Sequence, residues 1–362
     1  MDLKKFNLSF YKVTDQFDQP LVSIIISNYN YASYLERCVD SVLSQTYDLI
    51  ECIIVDDKST DDSANTLNRI QAAHKNITII RRAENGGQSA AALDGLKQAS
   101  GSYVIFLDAD DVLLPHAVAC HVYAHVSMRI PVGFTCADML QVGGNILMGT
   151  SSLPLTNFIT THADRKFQQR SATSEIIPLP PAVPSELLDR IYLVEPWDTG
   201  WVWSATSAMM FRRDALRFWE NTPDFVHLRY SIDAFFCYGI NAICGSAIID
   251  MPLAAYRIHG HNGFAARIPL NHVRSYELNS QGERSIDALK LLLKQAQEQK
   301  SYYRGLFWSE KQYHSLLKTL KTTLTIIQEA NETEPPQSLS TSWIIFTQKL
   351  YQDFRKWWQR FC

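Results

Sequence analysis

The chain has 362 residues and a formal net charge of −3 at pH 7, and 46% of its residues are hydrophobic. These values predict a globular protein of two domains, or one α/β domain with a helical appendage. They argue against a general nucleic-acid-binding protein. The seven cysteines form no Cys-x-x-Cys pair, which indicates a reducing compartment and no structural zinc. Neither a signal peptide nor a run approaching ~20 apolar residues is evident, so we expect a cytoplasmic protein without a membrane span.

Strands and helices alternate regularly in the first third of the chain. Apolar runs predict strands at 21–27, 51–55, 77–80 and 103–107, and helical periodicity predicts helices near 33–43, 62–74 and 89–99. Ser33 and Glu36 have the spacing of a capping box at the start of the first helix. The order βαβαβαβ predicts a parallel sheet with right-handed crossovers and helices on both faces.

Polar side chains follow three of these strands at the point where each strand ends. Asp108-x-Asp110-Asp111 follows the fourth strand, and Ser27-Asn28 and Asp56-Asp57 close the first and second. Ligands of open parallel sheets bind beyond the carboxyl ends of the strands. Carboxylates gathered there repel one another unless a cation lies between them, and such oxygen ligands suit Mg²⁺ or Mn²⁺. Each cluster alone could be a solvated turn, but three polar ends on one edge favour a binding site.

The middle of the chain is less regular. Pro115 begins another predicted helix. His121 and His125 on that helix lack the glutamate of a His-Glu-x-x-His metal site, which favours an ordinary surface or half-buried pair. Residues 132–150 indicate sheet and hairpin. The stretch 151–196 contains six prolines and is typical of a functional lid or of a partly disordered segment.

Aromatic and hydroxyl side chains are concentrated between 197 and 213. Aromatic rings beside hydroxyl groups suit the apolar face and hydroxyl rim of a sugar. Trp203, Ser207 and Arg212 are therefore candidate acceptor-binding residues. A tryptophan-rich edge of the core is the alternative.

Two further candidates lie at the ends of predicted elements. Ser231 precedes a predicted helix with Asp233 in its first turn, where an aspartate either acts as a general base or complements the helix dipole. His259 follows predicted strands at 246–250 and 253–258. Its imidazole would complete the coordination of a divalent ion and favour Mn²⁺, or would belong to a plain loop.

The C-terminal quarter is predicted to be helical, at about 271–300 and 309–330. The final stretch, 343–362, combines Trp and Phe with Lys and Arg, which is typical of an amphipathic helix in a lipid interface. Docking on the body of the protein and dimerisation are the alternatives.

Several of these motifs resemble those of family 2 glycosyltransferases with the GT-A fold, over about residues 20–265. The resemblance is carried by Leu21–Asn30, Val55-Asp56-Asp57-x-Ser59-x-Asp61, Asn85-Gly86-Gly87, Phe106-Leu107-Asp108-Ala109-Asp110-Asp111, Phe211-Arg212-Arg213, Ile232-Asp233 and Tyr256-Arg257-x-His259. It implies an α/β fold with a mostly parallel central sheet and flanking helices. It also implies an inverting, metal-dependent transfer from a nucleotide-diphosphate sugar, with UDP-sugars favoured. The implied acceptor is a hydroxyl of a glycan or lipid-linked molecule in surface polysaccharide or cell-envelope glycan synthesis.

The resemblance also implies roles for individual residues. The nucleotide-sugar site would comprise Ser27, Asn28, Tyr29, Asn30, Asp56, Asp57, Gly87, Gln88, Asp108 and Ala109. Asp110 and His259 would hold Mn²⁺ or Mg²⁺, which would offset the charge that develops on the departing diphosphate. Asp233 would be the base that takes a proton from the acceptor hydroxyl as it attacks the anomeric carbon.

The sequence departs from the family pattern at two places. Ile232 stands where members usually have glutamate, and Ala91-Ala92-Leu93 stands where a polar or basic residue is frequent. A catalytically silent nucleotide-sugar-binding protein on the same fold is therefore the alternative. The Gly-x-Gly-x-x-Gly fingerprint of a Rossmann dehydrogenase is missing after the first strand, as is the glycine-rich basic loop of a nucleotidyltransferase. The Gln-x-x-Arg-Trp pattern of processive synthases is also missing, so we expect one sugar to be added per encounter.

We expect five regions along the chain: an N-terminal extension at 1–19, a nucleotide-sugar-binding half at 20–130, an acceptor-binding half at 131–268, a helical region at 269–332 and an amphipathic tail at 333–362. The expected partners are the sugar donor and its acceptor, without nucleic acid. Contact with the inner face of the membrane, or with a second copy of the chain, would involve 343–362.

Overall fold

A computed structural model describes residues 18–150, 153–166, 183–259, 262 and 281–332. The strands are β1 Val22–Asn28, β2 Ile50–Asp56, β3 Thr78–Arg81, β4 Tyr103–Asp108, β5 Val112–Leu113, β6 Phe134–Gly143, β7 Ile146–Thr150, β8 Ile191–Val194, β9 Met209–Arg212 and β10 Ser246–Ile258. The α-helices are α1 Ala32–Leu43, α2 Ser63–Ala73, α3 Gln88–Gln98, α4 Ala117–Ser127, α5 Leu153–Thr161, α6 Arg213–Leu216, α7 Ile232–Cys244, α8 Gln281–Glu298, α9 Lys300–Gly305 and α10 Glu310–Glu332. Short 3₁₀ turns include Thr206–Ala208 and Phe225–Leu228.

One mixed sheet organises the fold, with the strand order β3-β2-β1-β4-β9-β6-β10-β5; β7 pairs with β6, and β8 pairs with β10. The four strands β3, β2, β1 and β4 are parallel to one another. β9 lies between β4 and β6 and runs antiparallel to both. It therefore connects the four parallel strands to a second parallel pair, β6 and β10. The predicted α/β architecture with a mostly parallel central sheet is confirmed.

The core is divided into two layers by this sheet. Ile24 and Ile26 of β1 face the layer that contains α1 and α4, whereas Ile25 faces the layer that contains α3 and α7. Because successive side chains of a strand point to opposite faces, a strand covered on both sides needs an unbroken apolar run. This is the pattern from which the strand was predicted.

The C-terminal helices α8 and α10 pack against the second layer. Their buried leucines are Leu289, Leu292, Leu316 and Leu320. Tyr303 of α9 stacks on Trp219 with ring centroids 4.6 Å apart. Its hydroxyl donates a hydrogen bond to the Phe218 carbonyl at 2.9 Å. The helical region is therefore joined to the sheet domain by a continuous apolar contact.

Two predicted helix starts differ from the structure. α1 begins at Ala32, and no side chain caps it, so the predicted capping box of Ser33 and Glu36 is wrong. Glu36 accepts a hydrogen bond from Arg69 Nε at 2.9 Å instead. α4 begins at Ala117, two residues beyond Pro115.

Other predicted segments are more regular or more deeply buried than expected. The stretch 151–196 contains α5 and β8 within its described part. The two strands predicted at 246–250 and 253–258 are one strand, β10, whose pairing with β6 shifts near Pro252. His121 and His125 are buried rather than half-buried, and both contact the Thr135 hydroxyl, at 2.7 and 3.2 Å.

Some predictions fall outside the described residues, namely the N-terminal extension up to residue 17 and the tail at 343–362. The predicted boundary at residue 130 lies between α4 and β6, and the sheet includes strands from both sides of it. In the part of the chain that the structure describes, every helix is too short or too polar to cross a membrane.

Gly239 in α7 allows α8 and Trp219 to approach closely, and its substitution tests whether this close packing stabilises the fold. A Cβ at this position would lie 2.7 Å from Trp219 Nε1 and 2.9 Å from Leu292 Cδ2. We expect Gly239→Ala to lower the free energy of unfolding by about 1–3 kcal/mol, because overpacked core substitutions have costs of this size. Urea denaturation measures the change. The control is Gly305→Ala, where nothing lies within 4 Å of the added Cβ. Equal stability of the two variants would contradict the packing constraint.

Candidate active site

The carboxyl ends of β1, β2 and β4 lie side by side. Ser27 is in register with both Val55 and Asp108, and Asn28 is in register with Asp56. The Ala109 N–H donates to the Ser27 carbonyl at 3.2 Å, which extends the contact beyond β4. The polar ends predicted from three separate stretches of sequence therefore meet at one edge of the sheet.

Asn28 and Asp56 form the first polar cluster at this edge, and both are buried. Asp56 Oδ1 accepts hydrogen bonds from Asn28 Nδ2 at 2.7 Å and from Ser59 Oγ at 2.6 Å. Asn28 Oδ1 is also buried but has no hydrogen-bond partner among the described residues. Since a buried polar atom without a partner is costly, this oxygen is a candidate acceptor for a ligand.

The two residues after Asn28 form the rim of the cluster. Tyr29 is 44% exposed. Asn30 has a left-handed backbone with φ 61°, and its Oδ1 accepts the Thr60 N–H at 2.7 Å. Asn30 therefore fixes the loop after β2, whereas the Tyr29 ring is accessible to a ligand.

The carboxylate of Asp57 accepts hydrogen bonds from the segment that precedes α3. Oδ1 accepts the Gly86 N–H at 2.9 Å and the Arg82 guanidinium. Oδ2 accepts the Gly87 N–H at 2.7 Å and Asn85 Nδ2 at 2.9 Å. A carboxylate has about four lone-pair positions, and all are occupied here. The Asp57 carboxylate therefore supports the loop before α3, and its predicted contact with the nucleotide stays a prediction.

Asp108 of β4 and Asp233 of α7 lie near each other, and we call the region between them and Asp110 the crevice. Gln88 Nε2, at the start of α3, donates to Asp108 Oδ1 at 2.8 Å. Burial, the Asp110 charge and the Asp233 charge together raise the pKa of Asp108 to about 7, against the opposing effect of Gln88. Burial also raises the pKa of Asp233. The predicted base is therefore close enough to Asp108 for the two charges to interact.

Asp110 and His259, the two predicted metal ligands, are adjacent. His259 Nε2 lies 3.0 Å from Asp110 Oδ2, and both side chains are less than a tenth exposed. Asn262 Nδ2 lies 3.3 Å from the same oxygen. The His259 ring stacks on Tyr34 with centroids 4.6 Å apart, which fixes its orientation.

Arg257 holds the acidic turn from the protein side. Its Nη2 donates to the carbonyls of Tyr34, Ala109 and Asp111 at 3.0, 3.3 and 3.4 Å. Its Nε donates to the Asp110 carbonyl. The guanidinium therefore fixes the backbone of the turn and leaves the side chain of Asp110 directed at His259.

Ser207 supports the same turn from the segment before β9. Its hydroxyl donates to Asp111 Oδ2 at 2.7 Å and accepts the Asp108 N–H at 3.2 Å. Burial raises the pKa of Asp111 well above its usual value. Ser207 is only 1% exposed, and its hydroxyl positions the acids. Its predicted contact with an acceptor stays a prediction.

The residues around Asp110 fit a divalent cation. Carboxylate oxygens with one imidazole nitrogen form a donor set that suits Mn²⁺ or Mg²⁺. A cation would also relieve the repulsion between the buried acids. Within the described ranges no three His, Cys, Asp or Glu side chains enclose an ion. Other sites that bind phosphates with Mg²⁺ use substrate oxygens and water as further ligands.

Trp203 and Arg212 lie away from this crevice. Trp203 is 1% exposed and its Nε1 donates to Ser246 Oγ at 2.9 Å, so it is a core residue. Arg212 pairs in register with Tyr103 at the start of β4. At ~3.3 Å per residue this is about 17 Å from Asp108. These contacts do not support the predicted acceptor-binding roles of Trp203 and Arg212, which stay predictions.

Three residues that support the site were not predicted as site residues from the sequence. Ser59 bonds Asp56, Asn262 bonds Asp110, and Arg257 holds the acidic turn. The motif Tyr256-Arg257-x-His259 contained the signal for Arg257. Nothing in the sequence distinguishes Asn262 from an ordinary loop residue.

The comparisons with known proteins agree with this geometry. The family described as Glycosyl transferase family 2 matches residues 23–126. An uncharacterized glycosyltransferase of Nostoc sp. is 32% identical over 264 residues, which cover 72% of this chain and 70% of the relative. The chain belongs to glycosyltransferase family 2. The predicted family is thereby confirmed, and with it the class of enzyme.

This family 2 glycosyltransferase is also similar to more specifically named proteins. Poly(ribitol-phosphate) beta-glucosyltransferase of Bacillus spizizenii is 40% identical over 95 residues, or 25% of this chain and 15% of the relative. The crystal structure of S. aureus TarS 1–349 in complex with UDP-GlcNAc has a TM-score of 0.53 at 14% identity, and the match covers 90% of this chain and 79% of that one. Similarity at this identity establishes the fold, and the predicted GT-A fold is confirmed.

Arg257 provides a test of how the acidic turn of this glycosyltransferase is held. Lysine has its donors at a single point and cannot reach all the carbonyls that one guanidinium reaches. We expect Arg257→Lys to lower the free energy of unfolding by about 1–3 kcal/mol, because buried acceptors lose their partners. The control is Arg217→Lys in an exposed pair with Asp214. If both variants unfold at the wild-type denaturant concentration, Arg257 does not stabilise the turn.

Proposed function

We propose that this glycosyltransferase is inverting and metal-dependent, and that it transfers one sugar from a nucleotide-diphosphate sugar to an acceptor hydroxyl. The observation that carries the proposal is that Asp110 lies beside His259 in the crevice, with Asp108 two residues before Asp110 and Asp233 near Asp108. A departing diphosphate needs positive charge, and an attacking alcohol needs a carboxylate nearby. The crevice combines residues suited to both needs.

The donor would lie across the carboxyl ends of β1, β2 and β4. The buried Asn28 Oδ1 can accept an N–H of the base, and the exposed Tyr29 ring can pack against it. Asp108 would face the ribose or the ion. A UDP-sugar is the favoured donor, and the UDP-GlcNAc bound by TarS supports this choice. The name of the Bacillus spizizenii relative supports a cell-envelope or surface glycan as the acceptor.

Asp110 and His259 would hold Mn²⁺ or Mg²⁺. When bound, the ion would stabilise the charge on the departing diphosphate. Asp110 contributes an oxygen from a turn fixed by Arg257, and His259 contributes a ring fixed by Tyr34. Both ligands are therefore oriented before substrate arrives, which reduces the reorganisation needed during transfer.

Asp233 would accept the proton of the acceptor hydroxyl. Burial raises its pKa, and a carboxylate of raised pKa is the stronger base while it remains ionised. Ile232, which replaces the usual glutamate, is 1% exposed and packs in the core. The acceptor hydroxyl would thus be oriented without a second carboxylate at position 232.

The donor and the ion are tested together by thermal shift. We expect UDP and one or more UDP-sugars to raise the melting temperature, and to do so more strongly with Mn²⁺, because a ligand that binds only the native state stabilises it. Asp110→Asn should remove the Mn²⁺-dependent part of the shift and at least about 100-fold of the turnover. Asp214→Asn is the matched control, because the Asp214 side chain is 86% exposed and follows β9 near the start of β4, at the other end of that strand from Asp108. Mn²⁺-independent shifts in the wild type would contradict metal dependence.

The base is tested by Asp233→Asn. The amide keeps the shape of the side chain but cannot accept the proton, so we expect UDP binding by calorimetry to remain and transfer to fall by at least about 100-fold. Transfer at the wild-type rate would place the base elsewhere. If the wild type binds UDP-sugars with Mn²⁺ but neither transfers nor hydrolyses them across a panel of glycan and lipid-linked acceptors, the alternative of a silent binding protein is favoured.

A further inference from the structure

The turn before α7 has an unusual backbone. Asp224, Arg229 and Ser231 have positive φ values of 64°, 27° and 67° although none is glycine. Non-glycine residues in such regions are strained and persist where the surroundings hold them. Ser231 directly precedes α7, two positions before Asp233, and its side chain makes no capping hydrogen bond to the helix. The chain leading to the proposed base is therefore held by contacts outside the helix.

Arg229 supplies contacts of this kind to the loop before α3. Its Nη2 donates to Asn85 Oδ1. Its carbonyl accepts the Ser89 N–H at 3.5 Å. The same carbonyl leaves no room at Gly87, where a Cβ would lie 2.4 Å from the Arg229 oxygen. Both the side chain and the backbone of Arg229 thus contact the short loop before α3.

Asn85 joins Arg229 to the donor side of the site. Its Nδ2 donates to Asp57 Oδ2 at 2.9 Å, while its Oδ1 accepts from Arg229. Asp57 also fixes Gly86 and Gly87 through their N–H groups. The next residue, Gln88, bonds Asp108. One amide therefore links the loop that borders the proposed donor site to the turn that leads into α7.

We propose that Arg229 is a positioning residue that couples the loop 85–88 to the placement of Asp233. This inference rests on the proposed role of Asp233 as the base. Arg229 would hold the start of α7 through Asn85 and the loop that Asp57 fixes, so that Asp233 lies where the proton transfer needs it. In this role Arg229 would not itself contact the donor or the acceptor. Its loss should lower the rate of transfer while donor affinity stays nearly unchanged.

The test compares Arg229→Met with Arg229→Lys. Methionine keeps an unbranched apolar side chain and removes the guanidinium, and Arg229 is exposed, so the fold should tolerate the change. The measurements are UDP affinity by calorimetry with MnCl₂, and kcat and KM for UDP release from UDP-GlcNAc, or from the UDP-sugar with the largest thermal shift. We expect kcat to fall about tenfold or more in Arg229→Met, because small misplacements of a catalytic group are costly. The Kd for UDP should change less than about twofold, and Arg229→Lys should recover part of kcat.

His227→Ala is the matched control, because its side chain is 77% exposed on the same turn. It should retain the wild-type kcat. A wild-type kcat in Arg229→Met would overturn the proposal, as would a loss of UDP affinity as large as the loss of kcat. Asp233→Asn separates this result from failure of the proposed function. If Asp233→Asn is inactive and Arg229→Met is normal, only the coupling is wrong, whereas an active Asp233→Asn removes the base itself.

Discussion

Negative charge buried at the end of β4 is the constraint on which the site depends. Asp110 and Asp111 are nearly inaccessible to solvent, and Asp108 is close to both. In a medium of low dielectric constant such acids repel one another and become protonated unless their surroundings hold them. The protein fixes the backbone of the turn with Arg257 and directs Asp111 inward with Ser207. The side chains of Asp108 and Asp110 are left facing the crevice.

Much of the fold and part of the site could be predicted because they depend on local patterns. The unbroken apolar run of β1 predicts a strand covered on both faces, and its polar end predicts an edge where a ligand binds. Parallel strands have their carboxyl ends on the same edge, so Asn28, Asp56 and Asp108 had to lie close together. The pairing of Asp110 with His259 required more than pattern, since 149 positions separate them, and it came from family resemblance.

The remaining features depend on tertiary contacts that composition does not encode. Trp203 looked suited to a sugar, but its indole is hydrogen-bonded to Ser246 within the core. Arg212 is placed by the antiparallel register of β9, which directs it to the opposite end of β4. The predicted capping box is wrong for a local reason: α1 begins at Ala32, so Ser33 lies inside the helix and not before it. For Trp203 and Arg212, by contrast, a distant partner decides between two roles that the local sequence allows equally.

The four hydrogen bonds accepted by Asp57 have a consequence for engineering this enzyme. Its carboxylate and the loop 85–87 form one unit, although 28 or more positions separate them in sequence. A chimera that imports either stretch alone from another glycosyltransferase would leave buried N–H groups or a buried carboxylate without partners. Segment grafts intended to change sugar preference should therefore move the two stretches together, as a single cassette.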